Sequence, residues 1–181
     1  MAKFEIVKKY EDAGLALPER KTSGSAGYDL ASAEDYIIPS YRLMANEIEG
    51  LFPVADDEYL TLENMAQLTK ETGFKPTLIS TGMKCKLDPD TFLQLNIRSS
   101  SPLKYWLIMA NSSGIIDSDY YNNPDNEGEI FLQIINLSPF NLQIKKGEII
   151  GQGIIIPYLK IEDDNSTETR VGGFGSTSEN K

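Results

Sequence analysis

Apolar and polar residues alternate in short runs along most of the chain: Phe4 and Ile6; Leu93, Leu95 and Ile97; Ile130, Leu132 and Ile134; Leu142 and Ile144; Ile154 and Ile156. A period of two sends one set of side chains to a buried face and the other to solvent, which predicts β-strands. Clusters of Gly, Pro, Asn and Ser at 23–27, 99–102, 122–128, 138–141 and 145–147 separate these runs and predict turns. Many short strands at this spacing predict an all-β sandwich or jelly roll.

One stretch has a different period. Thr61 stands where a cap would, Leu62, Met65, Ala66 and Thr69 share a helical face, and Gly73 is a stop, which predicts a helix from Leu62 to about Thr72. It lies in an acidic segment, 45–75, that reads as an insertion between two strands, because about 30 residues cannot build a core of their own. The expected organisation is one β domain over 1–161, followed by a polar tail over 162–181. The tail reads as disordered on composition, but a lone Phe174 among glycines and hydroxyls, with Arg170 upstream, suits a flexible flap equally well.

Composition narrows the chemistry. A chain of 181 residues is long enough for one core without covalent staples. The 17 Lys and Arg against 27 Asp and Glu give a net charge of −10, which argues against duplex nucleic acid as a partner. The absence of histidine removes Ser-His-Asp and Cys-His catalysis, histidine metal sites and the usual pH switch. Catalysis must then rest on carboxylates, hydroxyls, amides or a hard metal. The single cysteine, Cys85, sits in the strand-like run MKCKL and reads as a small buried apolar residue. No window approaches the roughly 20 apolar residues needed to span a bilayer, so no membrane role is expected and a cytoplasmic location is the simplest reading.

The candidate chemistry centres on GIIDSDYYNNPDNEGEIFLQI, which reads as a hairpin with acidic residues at its bend. Asp117 and Asp119 serve there either as turn formers, their commonest role beside a strand, or as functional carboxylates that need partners. A phosphate ester or anhydride resists nucleophiles until its charge is neutralised and a water is positioned. Arg98, Ser99, Ser100 and Ser101 at a strand end could meet that demand, and so could Gln152 between apolar residues. Asp29 either caps a turn or holds a hard metal through water.

Five segments in order, SAGYDL (25–30), RSSSPLK (98–104), GIIDSDY (114–120), GEIIGQ (147–152) and RVGGFGSTS (170–178), resemble the five motifs of the trimeric dUTPases. The resemblance implies a distorted jelly-roll homotrimer, with one inserted short helix here, and three active sites built at subunit contacts. It implies hydrolysis of dUTP to dUMP and pyrophosphate with Mg2+. Asp117 would activate the water that attacks the α-phosphorus, with Asp119 shaping the hairpin. Tyr120 would pack on the deoxyribose and exclude a 2′-hydroxyl, while Asn111 and the main chain of Gly114, Ile115 and Ile116 would read the uracil edge. Arg98, Ser99, Ser100 and Gln152 would contact the phosphates, and Asp29 would support the metal through water. In the tail, Arg170 would reach the γ-phosphate, Phe174 would stack on uracil, and Gly175, Ser176 and Thr177 would wrap the triphosphate. The chain departs from the family pattern at Ser100 and Pro102, in the lengthened turn 122–127, at Val171 and at Ser178. Two rivals remain: a dCTP deaminase relative, for which Gln133 stands where a glutamate is needed, and a nucleotide-switched module that binds a protein partner through 45–75.

Overall fold

The computed structural model describes residues 1–51, 60–167, 170 and 172. The alternating runs assemble mainly into two sheets. One has the order β2 (Tyr28–Ala31), β11 (Ile149–Pro157), β6 (Thr91–Ile97) and β8 (Gly114–Ile116). The other has β4 (Thr77–Ser80), β9 (Phe131–Asn136) and β7 (Leu107–Met109), and every pairing in the two sheets is antiparallel. Two ribbons complete the strands: β1 (Lys3–Ile6) with β5 (Met83–Lys86), and β3 (Tyr36–Ile38) with β10 (Leu142–Ile144).

The inward residues are the ones the period selects. Leu30, Leu93 and Leu95 of the first sheet share one core with Ile79, Leu132 and Ile134 of the second, and all six are at most 2% exposed. Burial of each such side chain stabilises the fold by about 1.5–3 kcal/mol. Gly151, at a register shift in β11, marks where the layers press hardest: an added Cβ would collide with the Leu132 side chain and approach the Asn96 carbonyl. Cys85 is buried in the same core, and burial pushes its thiol up to about 12, so it acts as an apolar residue.

The helix at α2 (Leu62–Thr72) forms as its caps demand. Thr61 Oγ1 accepts from the Asn64 amide at 3.1 Å, and Gly73 closes the helix at φ 71°. Its inward face differs from the expected one, because Leu62 and Ala66 are exposed while Met65, Leu68 and Thr69 are half-buried. The insertion is also larger than the sequence pattern suggested. A second helix, α1 (Tyr41–Leu51), starts directly after the bridge from Ser40 to Asn136, so the excursion begins near Tyr41 and holds two helices. Tyr41 and Met44 of α1, and Met65, Thr69 and Phe74 from α2 and beyond it, line an apolar cavity of about 240 Å³ against Ile134 and Ile135 of β9.

Two local expectations are corrected. The cluster at 99–102 is the start of a short helix, α3 (Ser100–Tyr105), because Pro102 falls in the first turn, where a missing N–H costs nothing. The segment after Ile116 does not form a β8–β9 hairpin. β8 pairs with β6 and β9 with β4 and β7, so the chain crosses from one sheet to the other through a 3-10 turn at Ser118–Tyr120.

Candidate active site

At the edge of the first sheet β8 lies against β6, and an added Cβ at Gly114 would stand 3.1 Å from Leu95 Cβ. A glycine there lets the β8 backbone settle on its neighbour. Asp117 leaves the strand in an extended conformation, and its carbonyl accepts from the Tyr120 amide at 3.1 Å, which starts the 3-10 turn. That turn folds Tyr120 inward to 6% exposure. The result is a pocket of about 120 Å³ lined by Leu95, Asn111, Gly114, Ile115, Ile116, Asp117, Tyr120, Phe131, Gln133 and Arg170. Asn111, Gly114, Ile115, Ile116, Asp117, Tyr120 and Arg170, all singled out in the sequence, therefore meet in one place.

Arg170 holds the carboxylates of this pocket. Its Nη2 donates to Asp117 Oδ2 at 2.6 Å and its Nε donates to Asp119 Oδ1 at 3.0 Å, and the guanidinium carbon lies 5.7 Å from the Tyr120 ring centre. Asp119 thus does more than shape a turn. Both carboxylates are about half exposed. A pair so open to water contributes little to stability, about 1 kcal/mol or less, and can exchange one anion for another.

The other candidates gather elsewhere. Gln152 sits between Asp29 of β2 and Asn96 of β6 in register, and Arg98 follows β6, its Nε 4.0 Å from Asp29 Oδ1. An added Cβ at Gly27 would collide with Gln152 Oε1, so the bare glycine makes room for the carboxamide. Arg98, Ser100 and Ser101 line a groove of about 480 Å³, while Ser99 is exposed just before α3. Asp29 Oδ2 is buried without any hydrogen-bond partner. An orphaned carboxylate oxygen of this kind fits a hydrated divalent cation held through water. Among the described residues no three Asp, Glu, His or Cys side chains converge on one point.

The two clusters lie far apart on a single chain. Ile116 pairs with Leu93, which sets Asp117 level with Phe92, whereas Arg98 lies past Ile97 at the other end of β6. The offset is roughly six residues, about 20 Å at about 3.3 Å per residue. Phe174, Gly175, Ser176 and Thr177 lie outside the described residues.

The model of the dUTPase family matches residues 60–178. The deoxyuridine 5′-triphosphate nucleotidohydrolase of Lactococcus lactis is 38% identical over 176 residues, covering 96% of this chain and 95% of that one. This chain belongs to the dUTPase family. Among solved structures, the dUTPase of Streptococcus mutans is similar at a TM-score of 0.66 and 34% identity, covering 88% of this chain and 98% of that one. The dUTPase from phage phi11 of S. aureus shares the fold at a TM-score of 0.61 and 16% identity, covering 93% and 97%. The all-β reading holds, with two inserted helices in place of one. No helix among the described residues of this dUTPase-family chain is long and apolar enough to cross a membrane.

Sequence reasoning passed over Phe131 as a lining residue and met Gln133 only as a mark against deamination. It also missed the amides of the long turn behind Tyr120. The run NNPDNEGE carried that signal, since three asparagine amides close behind a buried tyrosine have a phenol to satisfy.

Proposed function

We infer that this chain hydrolyses dUTP to dUMP and pyrophosphate. The observation that carries the reading is family membership over nearly the whole chain, joined to a carboxylate, Asp117, on the rim of a small pocket lined by the strand 114–116 and two aromatic residues, Tyr120 and Phe131. Asn111 and the peptide groups of 114–116 would pair with the uracil edge, and any base that left them unpaired would bind poorly. The Tyr120 ring would lie on the deoxyribose. Asp117 would accept a proton from the water that attacks the α-phosphorus as the bond to the pyrophosphate oxygen breaks. The Asp117–Arg170 pair supports this order of events: phosphate oxygens compete for the guanidinium, and its departure frees the carboxylate as base.

Arg98, Ser99, Ser100 and Gln152 would hold the phosphates, and Asp29 would hold hydrated Mg2+. That ion, when bound, neutralises charge on the phosphate oxygens. The offset of about 20 Å along β6 favours sites shared between subunits, with the pyrimidine half from one chain and the phosphate half from another. Exposed Leu103, Tyr105, Trp106 and Phe140 supply apolar surface for such contacts. A homotrimer is the assembly this reading adopts, and light scattering measures it directly.

The test is pyrophosphate release from dUTP, with and without Mg2+, by the wild type and Asp117→Asn. The expected loss in the variant is about 10²–10⁴-fold in kcat. An unchanged rate would remove Asp117 from its role. Ammonia release from dCTP would favour the deaminase reading instead, which the neutral Gln133 carboxamide in the pocket opposes.

A further inference from the structure

Behind the pocket, residues 121–129 form a longer connection than a sheet-to-sheet crossing needs, and its side chains converge on one phenol. The Tyr120 hydroxyl donates to the Glu129 carbonyl at 3.0 Å and accepts from Asn126 Nδ2 at 2.7 Å. Asn126 Oδ1 accepts from Asn123 Nδ2 at 2.8 Å and from the Gly128 amide at 3.1 Å. Asn123 closes the loop, its Nδ2 donating to the Tyr120 carbonyl at 2.9 Å and its Oδ1 accepting from the Asp125 and Asn126 amides at 3.1 Å each. Asn123 is 5% exposed and Tyr120 6%.

The turn is held from outside as well. Glu127 Oε2 accepts from the Lys8 amide at 2.8 Å, Asn122 Oδ1 accepts from Lys84 Nζ at 2.7 Å, and the Tyr121 hydroxyl donates to Glu5 Oε2 at 2.5 Å. Asn122 and Glu127 take φ values of 56° and 58°, and Gly128 takes 78°, where an added Cβ would collide with the Tyr120 carbonyl. Left-handed backbone at non-glycine residues persists only where its surroundings fix it.

We propose that Asn126 is a positioning residue, and that the extended turn is a brace fixing the tilt of the Tyr120 ring against the sugar of the nucleotide. A tyrosine ring tethered only at Cβ can swing. This one is pinned at its far end by one donated and one accepted hydrogen bond, and its ring lines the pocket that holds Asp117. A wall that cannot yield rejects an added 2′-hydroxyl, whereas a ring free to tilt makes room for it. The inference rests on the dUTP reading and deepens it, by placing sugar selectivity in a turn that never touches the substrate.

The experiment compares kcat/KM for dUTP and UTP in the wild type, Asn126→Asp, Tyr120→Phe and the double variant, beside their melting temperatures. Asn126→Asp keeps the oxygen that accepts from Asn123 and Gly128 but replaces the amide donor with an acceptor, so the phenol can bond residue 126 only by releasing the Glu129 carbonyl and is no longer pinned twice. Each single variant is expected to lower the dUTP-over-UTP preference about tenfold through loss of the hydrogen bond. The double variant should lose no more than Tyr120→Phe alone, since that change already removes the bond from Asn126 together with the one to the Glu129 carbonyl. A preference unchanged in Asn126→Asp and Tyr120→Phe overturns the proposal, whatever the melting temperatures do. Wild-type protein that releases no pyrophosphate from dUTP overturns the functional reading and the brace together, whereas active wild type with an unaltered preference in the variants overturns the brace alone.

Discussion

The two halves of the candidate site are built in opposite ways. Around Tyr120 the phenol and both carboxylates have partners supplied by the same chain: phenol to Asn126 and Glu129, carboxylates to Arg170. Around Asp29 a buried oxygen has none, and the nearest cation, Arg98, stands at 4.0 Å. The difference teaches which half is finished in the single chain. A satisfied polar network is rigid and ready, whereas an orphaned buried charge is costly and calls for something to complete it.

The largest effect should come from splitting the halves between chains. Asp117→Asn and Arg98→Ala are each expected to be nearly inactive, yet unfolding and refolding them together should restore activity in about a quarter of the sites, if each site takes one half from each of two subunits. No recovery on mixing would place both halves of a site on one chain. Next in size, Asp29→Asn should raise the Mg2+ concentration needed for half-maximal rate by about tenfold, as a charge is lost from the unfinished half. The same substitution should leave the sugar preference untouched, and a shift in that preference would erase the contrast between the halves. Gly27→Ala should raise KM for dUTP several-fold, on the order of 1 kcal/mol of binding, by displacing the Gln152 carboxamide. An unchanged KM would show that Gln152 is not needed where it lies.

The smallest effect concerns Glu129, whose carbonyl serves Tyr120 while its buried carboxyl faces Ser80, the Gly82 amide, Lys9 and Glu34. Burial raises this carboxyl above its ordinary value of 4.5. A raised value means that the folded state holds its proton longer than the unfolded chain. The contribution to stability is therefore full below 4.5 and is lost as pH climbs through the folded value. Glu34 and Glu5, lowered chiefly by the hydroxyls of Tyr10 and Tyr121, act in the opposite sense. The measurement is thus a difference: the melting temperature of Glu129→Gln minus that of the wild type should rise with pH across this window. A flat difference would show that the carboxyl carries no such penalty.

Much of this was written in local signals. The strand period located the core, from Leu93 and Leu95 to Leu132 and Ile134, because burial on one face leaves its mark every second residue. Thr61 and Gly73 marked α2 through the chemistry of helix ends. α1, YRLMANEIEGL, escaped notice although Tyr41, Leu43, Met44 and Ile48 are apolar and Ser40 stands at its start, its hydroxyl 3.5 Å from the Leu43 amide. The crossing after Ile116 was misread as a hairpin because a turn-rich linker between two alternating runs says nothing about which sheet each run joins. Motif order placed Asp117, Tyr120 and Asn111 at one pocket, but not the bond from Arg170 to Asp117, or the amides behind Tyr120, which depend on contacts formed only after the chain has crossed.

One strand, β6, leads toward Arg98 at one end and lies level with Asp117 at the other. In an assembly that shares its sites, that strand is a common girder for two of them. A lesion in it, or in Gly151 beside it, would spoil more sites than the defective chain's own share. In a cell with two alleles, such a lesion would be felt as dominance, with good subunits wasted on bad neighbours.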